Sequence, residues 1–293
     1  MLLPVNVMLG VVLAVLLAAA ATVAALGRLG PRRAREIVVA GVRAAVQLAA
    51  VSLVIGWAIH SLPLLLAFLL VMYAVAVRTA GRRVTPNGTW WLTALPIGAG
   101  VVPVVAALLL TGLVPVKGIA LIPVTGILIG GALTATVLGG RRALDELATR
   151  HGEVEAGMAL GLPDREARME VARDAASDAL LPGLDQTRTV GLVTLPGAFV
   201  GMLLGGASPL QAGAVQLFVL VGLMAVQAVA VALVLELVAR GRLHREVARK
   251  EPGEVAREEA REMGDRPSSG GAEGGEAGGE RSAGGRPERD QGP

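Results

Sequence analysis

Apolar residues in this chain come in long unbroken blocks, not in the short alternations of a soluble core. The blocks cover 5–26, 37–59, 62–77, 90–111, 118–138, 189–207 and 213–239. Most approach the ~20 residues that a helix needs to cross a bilayer. The pattern predicts an all-α, polytopic membrane protein of about seven transmembrane helices. The block 62–77 is short, and a tight turn around His60–Pro63 divides it from its predecessor. No Lys or Arg precedes Arg28. A secretory signal carries positive charge ahead of its apolar stretch, so the first block reads as a retained span.

Positive charge then orients the blocks. Arg28, Arg32, Arg33 and Arg35 separate the first two, and none separates the second from the third. Arg78, Arg82 and Arg83 follow the third, and Lys117 alone follows the fourth. Seven arginines lie between the fifth and sixth, none between the sixth and seventh, and eleven Lys and Arg follow. Rich and poor loops alternate at every crossing, as the positive-inside rule requires. The N-terminus is therefore expected outside. The 139–188 loop and the C-terminus are expected in the cytoplasm, with the chain in a bacterial plasma (inner) membrane.

Charge also divides the chain into a transmembrane domain, 1–240, and a charged tail, 241–293. The loop is predicted helical over Arg141–His151, over Glu155–Leu160, and from Pro163 to about Leu181. In the last, Ala167, Val171, Ala175 and Ala179 share a face. Such helices suit either a grip on a partner protein or a position on the lipid surface. Residues 240–262 are expected to continue the last span as a charged helix. Residues 264–293 are mostly Gly, Glu, Arg, Ser and Pro. They cannot bury enough apolar surface to offset ordering entropy and read as disordered.

Composition removes several functions. Seven aromatics and a net charge of +3 give no basic, stacking face for nucleic acid. No cysteine is present, which excludes disulfides and thiolate metal sites. His60, His151 and His244 fall in separate segments with no second ligand at helical spacing, so no bound metal is assigned. No nucleophile–base pair suggests an enzyme. No GxxxxGK[ST] loop occurs, so any ATP and Mg belong to another polypeptide.

Gly197, Gly201 and Gly205, and likewise Gly126 and Gly130, recur every four residues. Such stripes allow close helix approach, either within the chain or at a dimer or gating contact. Pro196 predicts a kink in the sixth span. Arg43, Gln47 and Glu236 are polar groups inside apolar blocks. Arg43 and Glu236 can snorkel, pair with one another, or line a path. Thr187 or Asp185 reads as a helix cap for the sixth span, or Asp185, Thr187, Arg188 and Thr189 form a polar collar at the cytoplasmic mouth of that path.

The run Thr189 to Gly197, TVGLVTLPG, resembles the signature of the FetB-type ABC transporter permease family, which includes bacterial iron exporters and plant aluminium-tolerance permeases. The resemblance extends to Ala179-Leu-Leu-Pro182, Asp185 and Arg188, to Arg43-Ala-x-x-Gln47-Leu48, and to Ile122-Pro-Val-x-Gly126 followed by Gly130. It covers most of residues 35–240. Glu155-Ala156 with Gly161 resembles a fragment of the coupling loop of ABC importers. Two positions depart from the family pattern: Gly131 replaces an Asn, and Asp178 stands where basic residues are usual. The resemblance implies a homodimer of permeases working with a separate ABC ATP-binding subunit and exporting a metal ion, iron by analogy. Glu155, Gly161, Arg165 and Arg168 are then candidate contacts to the ATPase. Arg43, Gln47, Asp185, Thr189 and Glu236 are transport-path candidates. Gly126, Gly130, Pro196, Gly197, Gly201 and Gly205 are packing or gating candidates. The alternative is a secondary transporter or channel without an ATPase, which predicts helices broken or charged at mid-membrane.

Overall fold

Lipid offers no partner to backbone N–H and C=O groups, so apolar spans satisfy them internally as helices. The computed structural model describes residues 5–27, 30–58, 61–111 and 118–245. The helices are α1 (Val5–Leu26), α2 (Pro31–Ala58), α3 (Leu62–Val84), α4 (Ala94–Leu110), α5 (Gly118–Thr149), α6 (His151–Ala159), α7 (Asp164–Ser177), α8 (Leu181–Thr189), α9 (Gly197–Leu204) and α10 (Pro209–Ala239). Among the described residues, six stretches are long and apolar enough to cross a membrane: α1, α2, α3, α5, α10, and α4 with the 3-10 turn Gly88–Thr93 before it. The chain is a multi-pass membrane protein.

Local signals set the helix starts. Ser61 caps α3 by accepting from the Leu64 amide at 3.4 Å, with Pro63 in the first turn. Ser208 and Gln211 form a reciprocal capping box on α10, with bonds of 3.3 and 3.2 Å. His60 and Lys117 lie outside the described residues.

The sixth crossing differs from the rest. Block 189–207 was expected as one helix kinked at Pro196. Instead α8 ends at Thr189, residues 190–196 form a turn with a lone Val190–Thr194 bridge, and α9 begins at Gly197. The chain nevertheless has to cross here, because α5 and α10 run parallel. Gly131 of α5 lies against Leu223 and Gln227 of α10, and Gly139 and Gly140, farther along α5, lie against Val234, farther along α10. The end of α5 and the start of α10 are thus at opposite ends of the bundle, and α8, the turn and α9 join them.

The core lies among α3, α4, α5 and α10. Val84, Ile97, Leu108, Leu128, Val226 and Val234 are fully buried in it. α7 packs beneath α5 and α10, burying Ala172 and Ala176. The α1–α2 hairpin sits at the side. Its helices pack on each other, with Leu17 filling the space beside Gly41, and α2 touches α3.

Two other expectations change. Residues 141–149 are not a separate loop helix but the end of α5, which at 32 residues is about 48 Å long. The last span does not run on as a charged helix. It stops at Ala239, where Gly241 takes φ +66° and the Gly241 and Arg242 amides bond back to Val238 and Leu237. Residues 242–245 then clasp the bundle. Leu243 is buried, the His244 carbonyl accepts from Thr85 Oγ1 and Asn87 Nδ2 at 2.8 Å each, and Arg245 binds Asp145 and the Val84 carbonyl. The tail from residue 246 lies outside the described residues.

Candidate functional site

Two features stand out: a helical hairpin at the basic end of the bundle and the interrupted crossing that follows it. The hairpin is α6 and α7. Gly161, at φ +96°, turns the chain between them, and Val154, Ala167 and Val171 bury its inner side. Its tip is apolar and uncovered: Leu160 is 87% exposed, beside Met158 and Leu162. An exposed apolar knob on an otherwise charged hairpin is a surface suited to contact with protein or lipid.

Most charged groups of the hairpin pair within the chain. Arg165 donates two hydrogen bonds to Glu236 of α10, Nε to Oε1 at 2.8 Å and Nη2 to Oε2 at 2.6 Å. This fork geometry fixes direction as well as distance. Arg240 holds the same carboxylate from one turn below. Glu236 therefore pairs with the loop, and not with Arg43 as one alternative had it. Arg168 bonds Asp164 at 2.8 Å and lies against Gly241, at the C-terminal end of α10, where a helix dipole favours a cation. Glu155 sits 3.3 Å from His151. Arg150 binds Glu153 and Glu146, and its hydrogen bond holds the Glu153 carboxyl below the usual range.

At the interrupted crossing, Asp185 and Thr189 were expected near the start of a helix. They lie toward the end of α8 instead. Thr187 and Thr189 bond back to the carbonyls of Gly183 and Asp185 at 2.9 Å each, and Asp185 pairs with Arg188 at 3.5 Å. They do not cap the sixth span. Above them the turn stands off α10 and leaves a cavity of about 190 Å³, lined by Leu195, Pro196, Phe199, Gln216 and Leu220 among others. Gln216 is 6% exposed and its Oε1 has no hydrogen-bond partner.

The structure does not gather the path candidates at one point. Arg43 and Gln47 are exposed on α2, Asp185 and Thr189 are on α8, and Glu236 is tied to α7. Gly197 and Gly201 face open space. Gly130 also has no neighbour, and Gly126 meets only Met72. Gln227, a further polar group inside an apolar block, was not among the path candidates. Its amide lies between Gly131 of α5 and Gly183 of α8, with Oε1 2.1 Å from where a Cβ on Gly183 would sit. Its signal was a polar residue in an apolar block, with glycines at unrelated spacings in two other helices. Among the described residues no three His, Asp or Glu side chains converge to hold a metal.

Comparison with known proteins completes the picture. The family described as "Uncharacterised protein family (UPF0014)" matches residues 6–242. The chain belongs to the UPF0014 family. Within and around this family, it is 36% identical to the protein ALUMINUM SENSITIVE 3 of Arabidopsis thaliana over 167 residues, 56% of this chain and 58% of the relative. It is 28% identical to the UPF0014 membrane protein YjkA of Bacillus subtilis over 198 residues, 65% of this chain and 78% of YjkA. It is 30% identical to the probable iron export permease protein FetB of Escherichia coli over 126 residues, 43% of this chain and 48% of FetB. The chain thus spans little more than half the length of the plant relative. No solved structure matches it.

Proposed function

We propose that this UPF0014 chain is the permease subunit of a transporter driven by a separate ATP-binding subunit, assembled as a homodimer in a bacterial inner membrane. The N-terminus lies outside and the α6–α7 hairpin in the cytoplasm. The cargo is a metal ion moved outward, iron by analogy with the relative named an iron export permease. One observation carries the reading: an apolar-tipped hairpin is clamped to a crossing helix by the Arg165–Glu236 fork.

The mechanism follows from that linkage. The tip Met158–Leu162 seats on the ATP-binding subunit. ATP and Mg act on that subunit, whose closure draws the hairpin. α7 packs on α5 and α10, and Arg165 passes the pull to Glu236 near the end of α10. α10 carries the turn 190–196 and α9 along its side, so its movement reaches the crossing that is already broken. A small displacement can then repack the interrupted crossing, which has fewer helix hydrogen bonds to break than a continuous span.

The interrupted crossing itself favours a second reading. Secondary transporters bind cargo at discontinuous helices, and an ATPase-free transporter predicted such a break. The two readings part at the tip: Leu160→Asp disables the first and leaves the second untouched.

The test is ATP-dependent iron accumulation in inverted membrane vesicles that contain the chain and its ATP-binding subunit. Accumulation above vesicles lacking the chain is expected. Equal accumulation in both overturns the metal-export reading.

A further inference from the structure

We propose that Arg43 and Gln47 of α2 form a binding site for an oxyanion, a carboxylate or a phosphate, held within the membrane. α2 is continuous helix from Pro31 to Ala58. Arg43 stands eight residues beyond Arg35, the last of the arginines clustered at its start, and so about 12 Å along the axis. Half the hydrocarbon core is about 15 Å. Gln47 is one turn deeper, on the same face.

An ionisable side chain at that depth ordinarily faces protein or water and is paired. Arg43 has no such partner among the described residues. The ion pairs of α2 are Arg32–Glu36 and Arg33–Glu36, at its start. α1 covers a different side, where Leu17 meets Gly41. Residue 43 is two positions on, about 200° around the helix. Arg43 and Gln47 are exposed in an open, shallow groove formed by α2 alone, beside Val38, Val39, Val42 and Val46.

The described residues supply no carboxylate that can reach this groove. Glu36 is committed to Arg32 and Arg33, and Glu236 to Arg165 and Arg240. A second copy packed on the same face brings another Arg43 with it. What does fit is an external oxyanion. A guanidinium offers a planar fork of N–H donors that matches two oxygens of a carboxylate or phosphate, and the Gln47 amide adds donors alongside. At this depth in a membrane the low dielectric strengthens such a contact.

A fixed positive charge repels a bare cation. On the permease reading, on which this consequence rests, a cargo passing this groove is an anion or a metal already held by an oxyanion chelator. A lipid phosphate answers the same chemistry, and the experiment separates the two sources.

The full-length chain is placed in nanodiscs of phosphatidylcholine alone and titrated with citrate or pyrophosphate, with chloride at matched ionic strength as the control. Its thermal unfolding midpoint is followed. Wild type is expected to be stabilised, with R43A losing roughly tenfold in apparent affinity. R43K, which keeps the charge but not the fork, and Q47A should fall between them. In a second arm, native mass spectrometry counts phosphatidylglycerol retained from discs that contain it. A lipid source gives Arg43-dependent retention and no response to citrate or pyrophosphate. Identical behaviour of wild type, R43A and R43K in both arms overturns the site. Neither arm contains an ATP-binding subunit, so failure here leaves the permease reading standing, and failure of that reading leaves a measured oxyanion site intact.

Discussion

A Cβ placed on Gly81 comes within 2.2 Å of the Trp90 carbonyl oxygen, whereas one on Gly183 meets the mobile tip of Gln227. The first obstacle is backbone and cannot swing aside; the second can. Gly81→Ala is therefore expected to destabilise the bundle by about 1–3 kcal/mol, as overpacking does. Gly183→Ala should cost less and act mainly by displacing the Gln227 amide. Thermal unfolding in detergent checks both, and equal losses contradict the distinction. These two glycines also define how far single residues were legible. Four-residue spacing drew notice to Gly126, Gly130, Gly197 and Gly201, yet the first meets one side chain and the other three meet open space. Close approach depends on which helix lies across, and spacing within one helix does not carry that. The same holds for Glu236: its place in an apolar block was evident, but its partner Arg165, 71 positions earlier, became evident only from the fold.

At the scale of elements, hydropathy located α1–α5 and α10 because lipid imposes one rule on every spanning segment. It failed at α8 and α9 because residues 190–196, VGLVTLP, are as apolar as the spans. Hydropathy measures preference for lipid and not helical continuity. Pro196 and Gly191 were the available warnings, and Gly191 takes φ +81° in the turn. The loop reading merged differently: arginines 141 and 142 suggested a new helix, but the backbone of α5 continues through them. The hairpin and α10 act as one lever only while the Arg165–Glu236 fork holds. Glu236→Gln removes the charge and one strong acceptor but keeps the shape. That variant is expected to retain an associated ATP-binding subunit while losing at least roughly tenfold in transport per ATP hydrolysed, since a charge-assisted fork is replaced by a weaker contact. Transport and hydrolysis measured together in proteoliposomes decide it. Unchanged coupling would show that packing of α7 on α10 suffices.

At the scale of the molecule, the described chain leaves α9 open along Gly197 and Gly201, and α1 and α2 largely uncovered. Lipid accepts apolar helices, but a glycine stripe invites another backbone. A homodimer joined through α9 predicts that Gly201→Cys yields a disulfide-linked dimer in oxidised membranes. The chain has no other cysteine, so any such product reports that position alone. Monomer only, with a thiol that remains reactive, contradicts this contact. The central claim is that the α6–α7 tip receives force from an ATP-binding subunit. Its most direct test is gentle solubilisation of the tagged full-length chain from its native membrane and identification of what co-purifies. The account predicts a stoichiometric ATP-binding subunit with wild type and its loss with Leu160→Asp, while membrane insertion is unchanged. An ATP-binding subunit absent from wild type, or equally retained by Leu160→Asp, contradicts it.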